Sequence, residues 1–154
     1  MTTIQEAVDW ITARHNFHHG FDHFQRFMAS QGDPQDQLRT IHVAGTNGKG
    51  STVSYLASVL REAGYTIGTF TSPHLIAHQD RIQEHWIDDA TFVRYVDTYR
   101  DLLEQWDLAM FEIDFFFACL WFIEQKVDFA LIEVGLGGLL DSTNTLHHPL
   151  CSVI

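Results

Sequence analysis

The stretch His42-Val-Ala-Gly-Thr-Asn-Gly-Lys-Gly-Ser51 constrains this chain more than any other. An apolar run, Ile41-His42-Val43-Ala44, leads into a turn with three glycines, and the turn leads into a helical pattern from Thr52 to Ala63. Strand, glycine turn and helix start together make a cradle for phosphate. Gly45, Gly48 and Gly50 are expected to take positive φ and let the backbone approach an anion closely. The open N–H groups of the helix start and its positive dipole end face that anion. Lys49 adds a mobile positive charge, and Ser51 or Thr52 offers a hydroxyl to Mg²⁺. The candidate nucleotide-binding residues are therefore Gly45, Thr46, Asn47, Gly48, Lys49, Gly50, Ser51 and Thr52. The general pattern G-x-x-x-x-G-K-[ST] is not met, because Val43 stands where it needs glycine and Gly50 where it needs serine or threonine.

The 154 residues suit one domain, and 45% apolar residues supply a core. Twenty acidic against nine basic residues give a net charge of −11, which argues against nucleic-acid and anionic-membrane partners. A nucleotide is still compatible, since one lysine and a ring of amides act locally. Cys119 and Cys151 match no zinc or redox spacing. The first residues lack the basic start and apolar core of a signal peptide, and the apolar run Phe115 to Ile123 is too short to span a bilayer. A cytoplasmic protein is expected.

Residues 2 to 14 read as a helix capped by Thr2 or Thr3, with Ile4, Val8 and Ile11 on one face. Four histidines between His15 and His23 read as a polar turn rather than a metal site, because no convincing ligand spacing accompanies them. A second helix is expected from Asp22 to about Ser30, with Pro34 to Gln37 as a linker. Gly64 fits the helix stop, and Tyr65 to Phe70 reads as a second strand, completing a right-handed βαβ unit. Ser72 then lies beyond a strand end and is either a Mg²⁺ ligand or a turn serine before Pro73. Arg81 to Ile87 suggests a small extended excursion. Helices are expected from Asp88 or Asp89 to about Glu104 and from about Phe111 to Lys126, the latter apolar nearly all round. Glu112 and Asp114 on its first turns either favour the helix dipole or touch substrate. Asp128 to Val134 reads as a central strand. Glu133 near its end is costly unless paired, and Mg²⁺ is the expected partner. A glycine loop, Gly135-Leu-Gly-Gly138, the polar run Asp141-Ser-Thr-Asn144 and a further strand near 149–154 complete the pattern. Alternating strands and helices predict an α/β fold with a mainly parallel sheet flanked by helices.

These pieces, with Thr71-Ser-Pro-His-Leu75, Asp80-Arg-Ile82, Phe111-Glu112 and Leu140-Asp-Ser-Thr-Asn144, resemble the N-terminal part of folylpolyglutamate synthase and dihydrofolate synthase, within the Mur ligase superfamily. Gly50, the extra glycine after the lysine, points to the folate branch. The resemblance implies part of a central ATPase domain over residues 1–154, with 1–38 an N-terminal helical segment. It implies an ATP-dependent ligase that activates a folate or pteroate carboxylate as an acyl phosphate and joins it to L-glutamate. ATP and Mg²⁺ are the implied cofactors. Lys49 and Glu133 are the implied catalytic residues, and Ser72 and Glu133 the implied magnesium ligands. Ala109, Phe111, Glu112, Leu140, Asp141 and Ser142 match segments that contact the pterin substrate, and the turn from Gly20 to His23 matches a folate-side turn.

Leu139, Ala109 and His23 stand where the family usually has arginine, often has threonine, and has arginine, respectively, which bears on substrate choice. The family's ATPase domain continues well past a strand like Cys151 to Ile154. The chain is thus expected to be either a fragment or a truncated gene product, inactive alone, with an uncovered sheet edge that favours poor solubility or association. A nonenzymatic nucleotide-binding remnant and a ligase for another carboxylate and amino acid are the alternative readings.

Overall fold

The computed structural model describes residues 2–15, 17–72 and 87–154, and the backbone of 82–83. Much of the Thr71 to Leu75 and Asp80 to Ile82 motifs, and of the excursion expected at 81–87, lies outside the described residues.

A five-stranded sheet organises the chain. Its strands are β1 (Thr40–Val43), β2 (Ile67–Phe70), β3 (Ile82–Gln83), β4 (Phe129–Glu133) and β5 (Cys151–Val153). Their spatial order is β3-β2-β4-β1-β5. β4 pairs in parallel with both β1 and β2, β5 is parallel to β1, and β3 runs antiparallel to β2. β1 and β2 form the expected parallel βαβ unit, but β4 is inserted between them. All of β4 except its first residue is buried, as a strand flanked on both sides requires.

The helices are α1 (Ile4–Thr12), α2 (Phe21–Ser30), α3 (Lys49–Glu62), α4 (Asp89–Gln105) and α5 (Met110–Glu124). α3 packs through Val53 and Ala57 against Val43, Ile67 and Leu131 on one face of the sheet. The other helices build the larger core. α5 is buried almost all round, and Phe115, Phe116 and Phe122 have no more than 1% of their surface exposed. Phe27 meets Phe116 edge-on, and Phe70 lies against Phe111 and Phe115, so α2, α5 and β2 share one aromatic cluster. α1 begins with a reciprocal cap, in which the Thr3 hydroxyl accepts from Glu6 N and Glu6 accepts from Thr3 N.

Three local expectations are corrected. Pro34 to Gln37 is a 3₁₀ turn rather than a linker, since Pro34 pre-sets the first φ and Asp33 enters it at φ 50°. α3 begins at Lys49, not Thr52. Gly50 is consequently helical, and positive φ belongs to Gly45 (129°) and Gly48 (80°) alone among the three loop glycines. Among the described residues, no helix is long and apolar enough to cross a membrane.

Candidate functional site

The parallel strands β1, β2 and β4 end on one edge of the sheet, and the expected phosphate loop follows β1 there. Ala44 N donates to Val153 O and Val134 N to Val43 O, so the strand is held on both sides up to the first glycine. Gly48 in the left-handed region is the N-cap of α3. The first intrahelical bond runs from Thr52 N to Gly48 O at 2.9 Å, so the amides of Lys49, Gly50 and Ser51 stand at the open helix end. The Thr52 hydroxyl also donates to Gly48 O, at 2.8 Å, and is engaged with its own helix. Lys49 folds back and donates from Nζ to Gly45 O at 3.0 Å, closing the loop on itself.

Glu133, the last residue of β4, is only 4% exposed. Its Oε2 accepts the Ser72 amide at 3.0 Å. Burial pushes its carboxyl above the usual carboxylate range, against the opposing pull of the Ser72 N–H and the Lys49 charge. A Cβ on Gly50 would sit 3.9 Å from the same Oε2, so the helix start and the carboxylate face each other closely. A cavity of about 500 Å³ opens here, lined among others by Gly50, Ser51, Thr69, Thr71, Ser72 and Glu133. The donor set fits Mg²⁺ beside phosphate: a desolvated carboxylate, nearby hydroxyl-bearing residues and amides at a helix start are hard-oxygen and anion-binding chemistry. A divalent cation also relieves the cost of burying Glu133.

The expected substrate residues fall into two groups. Phe111 and Asp141 converge on Gly135, where a Cβ would meet Phe111 Cζ at 2.6 Å and Asp141 Oδ1 at 3.1 Å. Only glycine lets β4 run into this loop with the ring and carboxylate in place. Leu140 is exposed, while Asp141 and Ser142 are buried. Ala109 and Glu112 form the N-terminal cap of α5: Glu112 Oε2 accepts Ala109 N at 2.8 Å. Burial raises the Glu112 carboxyl above its ordinary range, opposed by that amide. The geometry of Glu112 is thus that of a cap on its own helix.

Residues that the sequence did not single out also join the site. His42, in the middle of an apolar strand, reaches Thr143 Oγ1 from Nε2 at 2.8 Å. A polar residue in such a strand was the available signal. Thr69 on the cavity wall was visible only as a strand threonine, and Thr71 only as the first residue of the Thr71 to Leu75 motif. The histidines between His15 and His23 serve elsewhere. His18 Nδ1 and His19 Nε2 both contact Asp107 Oδ2, and His23 Nε2 meets Trp106 O. Asp36 Oδ2 pairs with His147 Nδ1 at 2.5 Å, and Asp36 Oδ1 accepts His147 N at 3.1 Å, across 111 positions of sequence.

No protein-family model matches the chain. The dihydrofolate synthase/folylpolyglutamate synthase of Bacillus subtilis is 42% identical, over 99% of this chain and 38% of its own length. The folylpolyglutamate synthase of Lacticaseibacillus casei is 44% identical over 80% of the chain and 31% of its own length. The crystal structure of folylpolyglutamate synthase from Thermotoga maritima superposes with a TM-score of 0.88 at 33% identity, covering 98% of this chain and 37% of that one. A folylpolyglutamate synthase solved with AMPPCP and folate superposes with a TM-score of 0.89 at 36% identity, over 98% and 39%. The chain spans about two fifths of the length of the Bacillus subtilis relative and of the synthase solved with AMPPCP and folate. Over that stretch, in sequence and in fold, it matches folylpolyglutamate and dihydrofolate synthases.

Proposed function

We propose that this chain supplies the nucleotide side of an ATP-dependent ligase joining L-glutamate to the carboxylate of a folate or pteroate substrate. One observation carries the reading: a buried carboxylate, Glu133, faces the start of a helix that opens with Lys49 and follows a loop with two positive-φ glycines. A related synthase solved with AMPPCP and folate supports it. Bound ATP supplies the phosphoryl group that activates the substrate carboxylate.

The amides at Lys49, Gly50 and Ser51 hold phosphate oxygens, within the loop formed by Gly45, Thr46, Asn47 and Gly48. Lys49 leaves Gly45 O and neutralises charge on the transferring group. Glu133 and Ser72 would hold Mg²⁺, the carboxylate as anion and the serine through its hydroxyl, and the ion would offset phosphate charge. Ala109, Phe111, Glu112, Leu140, Asp141 and Ser142 border the acceptor substrate. Residues 1–154 form part of the ATP-binding domain, with 1–38 its helical N-terminal segment, and the protein acts in the cytoplasm. The acidic surface fits small-molecule substrates rather than nucleic acid.

The test is ligation. The chain is exchanged for the stretch it matches in the Bacillus subtilis relative and given MgATP, radiolabelled glutamate and either dihydropteroate or tetrahydrofolate. Label incorporation that needs both ATP and the acceptor is the expected result. Nucleotide binding without incorporation on either acceptor contradicts the substrate assignment.

A further inference from the structure

We propose that Asp141, Thr143 and His42 form a positioning link between the loop bordering the acceptor substrate and the strand that launches the phosphate loop. The inference rests on the nucleotide and acceptor sites proposed above, and it assigns His42 and Thr143 a role toward both.

The loop from Gly135 to Leu140 has little packing on its outer side, with Leu136, Leu139 and Leu140 exposed by 86%, 80% and 76%. Its position is set from within. Asp141 Oδ1 accepts Leu136 N at 2.9 Å, closing the loop. Asp141 Oδ2 accepts Thr143 N at 3.0 Å and the Thr143 hydroxyl at 2.5 Å, starting the short 3₁₀ turn Ser142–Thr145. One carboxylate therefore holds both ends of the segment. Thr143 is fully buried, and its oxygen meets His42 Nε2, 101 residues away in sequence.

The protons can be placed by elimination. The Thr143 hydroxyl has one hydrogen, and the Asp141 carboxylate is the acceptor for it. The Thr143 oxygen must then accept, so His42 carries hydrogen on Nε2. Burial holds His42 below its ordinary pKa, against the pull of Asp141, which favours the neutral ring with Nδ1 bare. A leucine or valine would serve a buried strand position as well as His42 does, and a buried imidazole is costly without a partner. His42 lies two residues before Ala44, beside Ile132 of β4 and Ser152 of β5, so it sits on a strand paired on both sides. The acceptor-side turn is thereby referenced to the strand whose end aims the phosphates. A displacement of about 1 Å between the two sites is enough to cost a reaction that needs both substrates aligned.

The test is amide hydrogen exchange on this chain, with and without MgAMPPCP. In the parent and in Thr143→Ser, which keeps the hydroxyl, nucleotide should slow exchange at 45–51 and also slow it roughly fivefold or more across 136–145. In Thr143→Val the slowing at 45–51 should remain while that at 136–145 is lost. His42→Leu cuts the link from the other side and leaves the Asp141 bonds intact, so it gives the same reading if Thr143→Val does not fold. Unchanged nucleotide protection of 136–145 in either folded variant overturns the link alone. Absence of protection at 45–51 in the parent overturns the nucleotide site and the link with it. Nitrogen NMR of His42 is independent of any variant: hydrogen on Nε2 with Nδ1 bare is expected, and hydrogen on Nδ1 alone overturns the link.

Discussion

Glu133 accepts the amide of Ser72 at 3.0 Å, joining the end of β4 to the segment that follows β2. The two residues lie 61 positions apart. One backbone N–H is modest compensation for a desolvated carboxylate, and the Glu133 carboxyl is raised accordingly. Ionised Glu133 therefore weakens the metal-free fold at neutral pH. Glu133→Gln should melt no lower than the parent without metal. It should lose most of the stabilisation that MgAMPPCP gives the parent, with nucleotide affinity at least roughly tenfold weaker. Melting curves with and without Mg²⁺ measure both effects.

Lys49 has a resting partner in Gly45 O, so its loss should leave the fold intact. Its contact with phosphate is a charge-assisted hydrogen bond, of about 1.5–3 kcal/mol. Lys49→Ala should therefore weaken MgAMPPCP binding by roughly ten- to a hundredfold, measured by calorimetry, with the urea midpoint little changed.

The glycines at 50 and 135 should respond oppositely to alanine. Gly50 is helical and a Cβ there meets only Glu133 Oε2 at ordinary contact distance, so Gly50→Ala should stabilise by about 0.5–1 kcal/mol. The added methyl narrows the gap in which metal and phosphate would lie, so nucleotide affinity should fall. Gly135→Ala drives a methyl into the Phe111 ring, 2.6 Å away, and should destabilise by about 1–3 kcal/mol. Urea unfolding of the two variants separates a helical glycine kept for ligand access from a loop glycine kept for packing.

Asp36 ties the early 3₁₀ turn to the segment before β5 through His147. Its hydrogen bond raises the His147 pKa above the usual 6.5, with burial opposing and the charges of Asp36 and Asp33 adding. A raised folded pKa means that this contribution is full below about pH 6.5 and is lost as pH climbs through the raised value. The pair is partly exposed, so the effect is small. Asp36→Asn should flatten the fall in stability between slightly acid and mildly alkaline pH, as thermal melts across that range will show.

The strand, glycine turn and helix at 40–62 were legible because apolar periodicity and glycine chemistry act locally. The same holds for the burial of α5, which follows from its unbroken aromatic run. The carboxylate at the end of β4 was legible as an expense in need of a partner. Gly50 was misjudged because sequence shows a glycine and not whether the helix has already begun. The insertion of β4 between β1 and β2 is set by packing between segments far apart in the chain. Thr143 read only as one polar residue in a row of four, since its partner His42 is 101 positions away. Glu112 could be read as a cap or as a substrate contact, and its bond to Ala109 N shows where the carboxylate goes in this structure.

The most direct measurement of the central claim is calorimetric titration of AMPPCP into this chain, with Mg²⁺ and with EDTA, for the parent and Lys49→Ala. Saturable one-to-one binding that requires Mg²⁺ and is weakened at least tenfold by Lys49→Ala is the expected result. Binding that ignores Mg²⁺, or that is unchanged by Lys49→Ala, would contradict the assignment of residues 45–52 and Glu133 to a metal–nucleotide site.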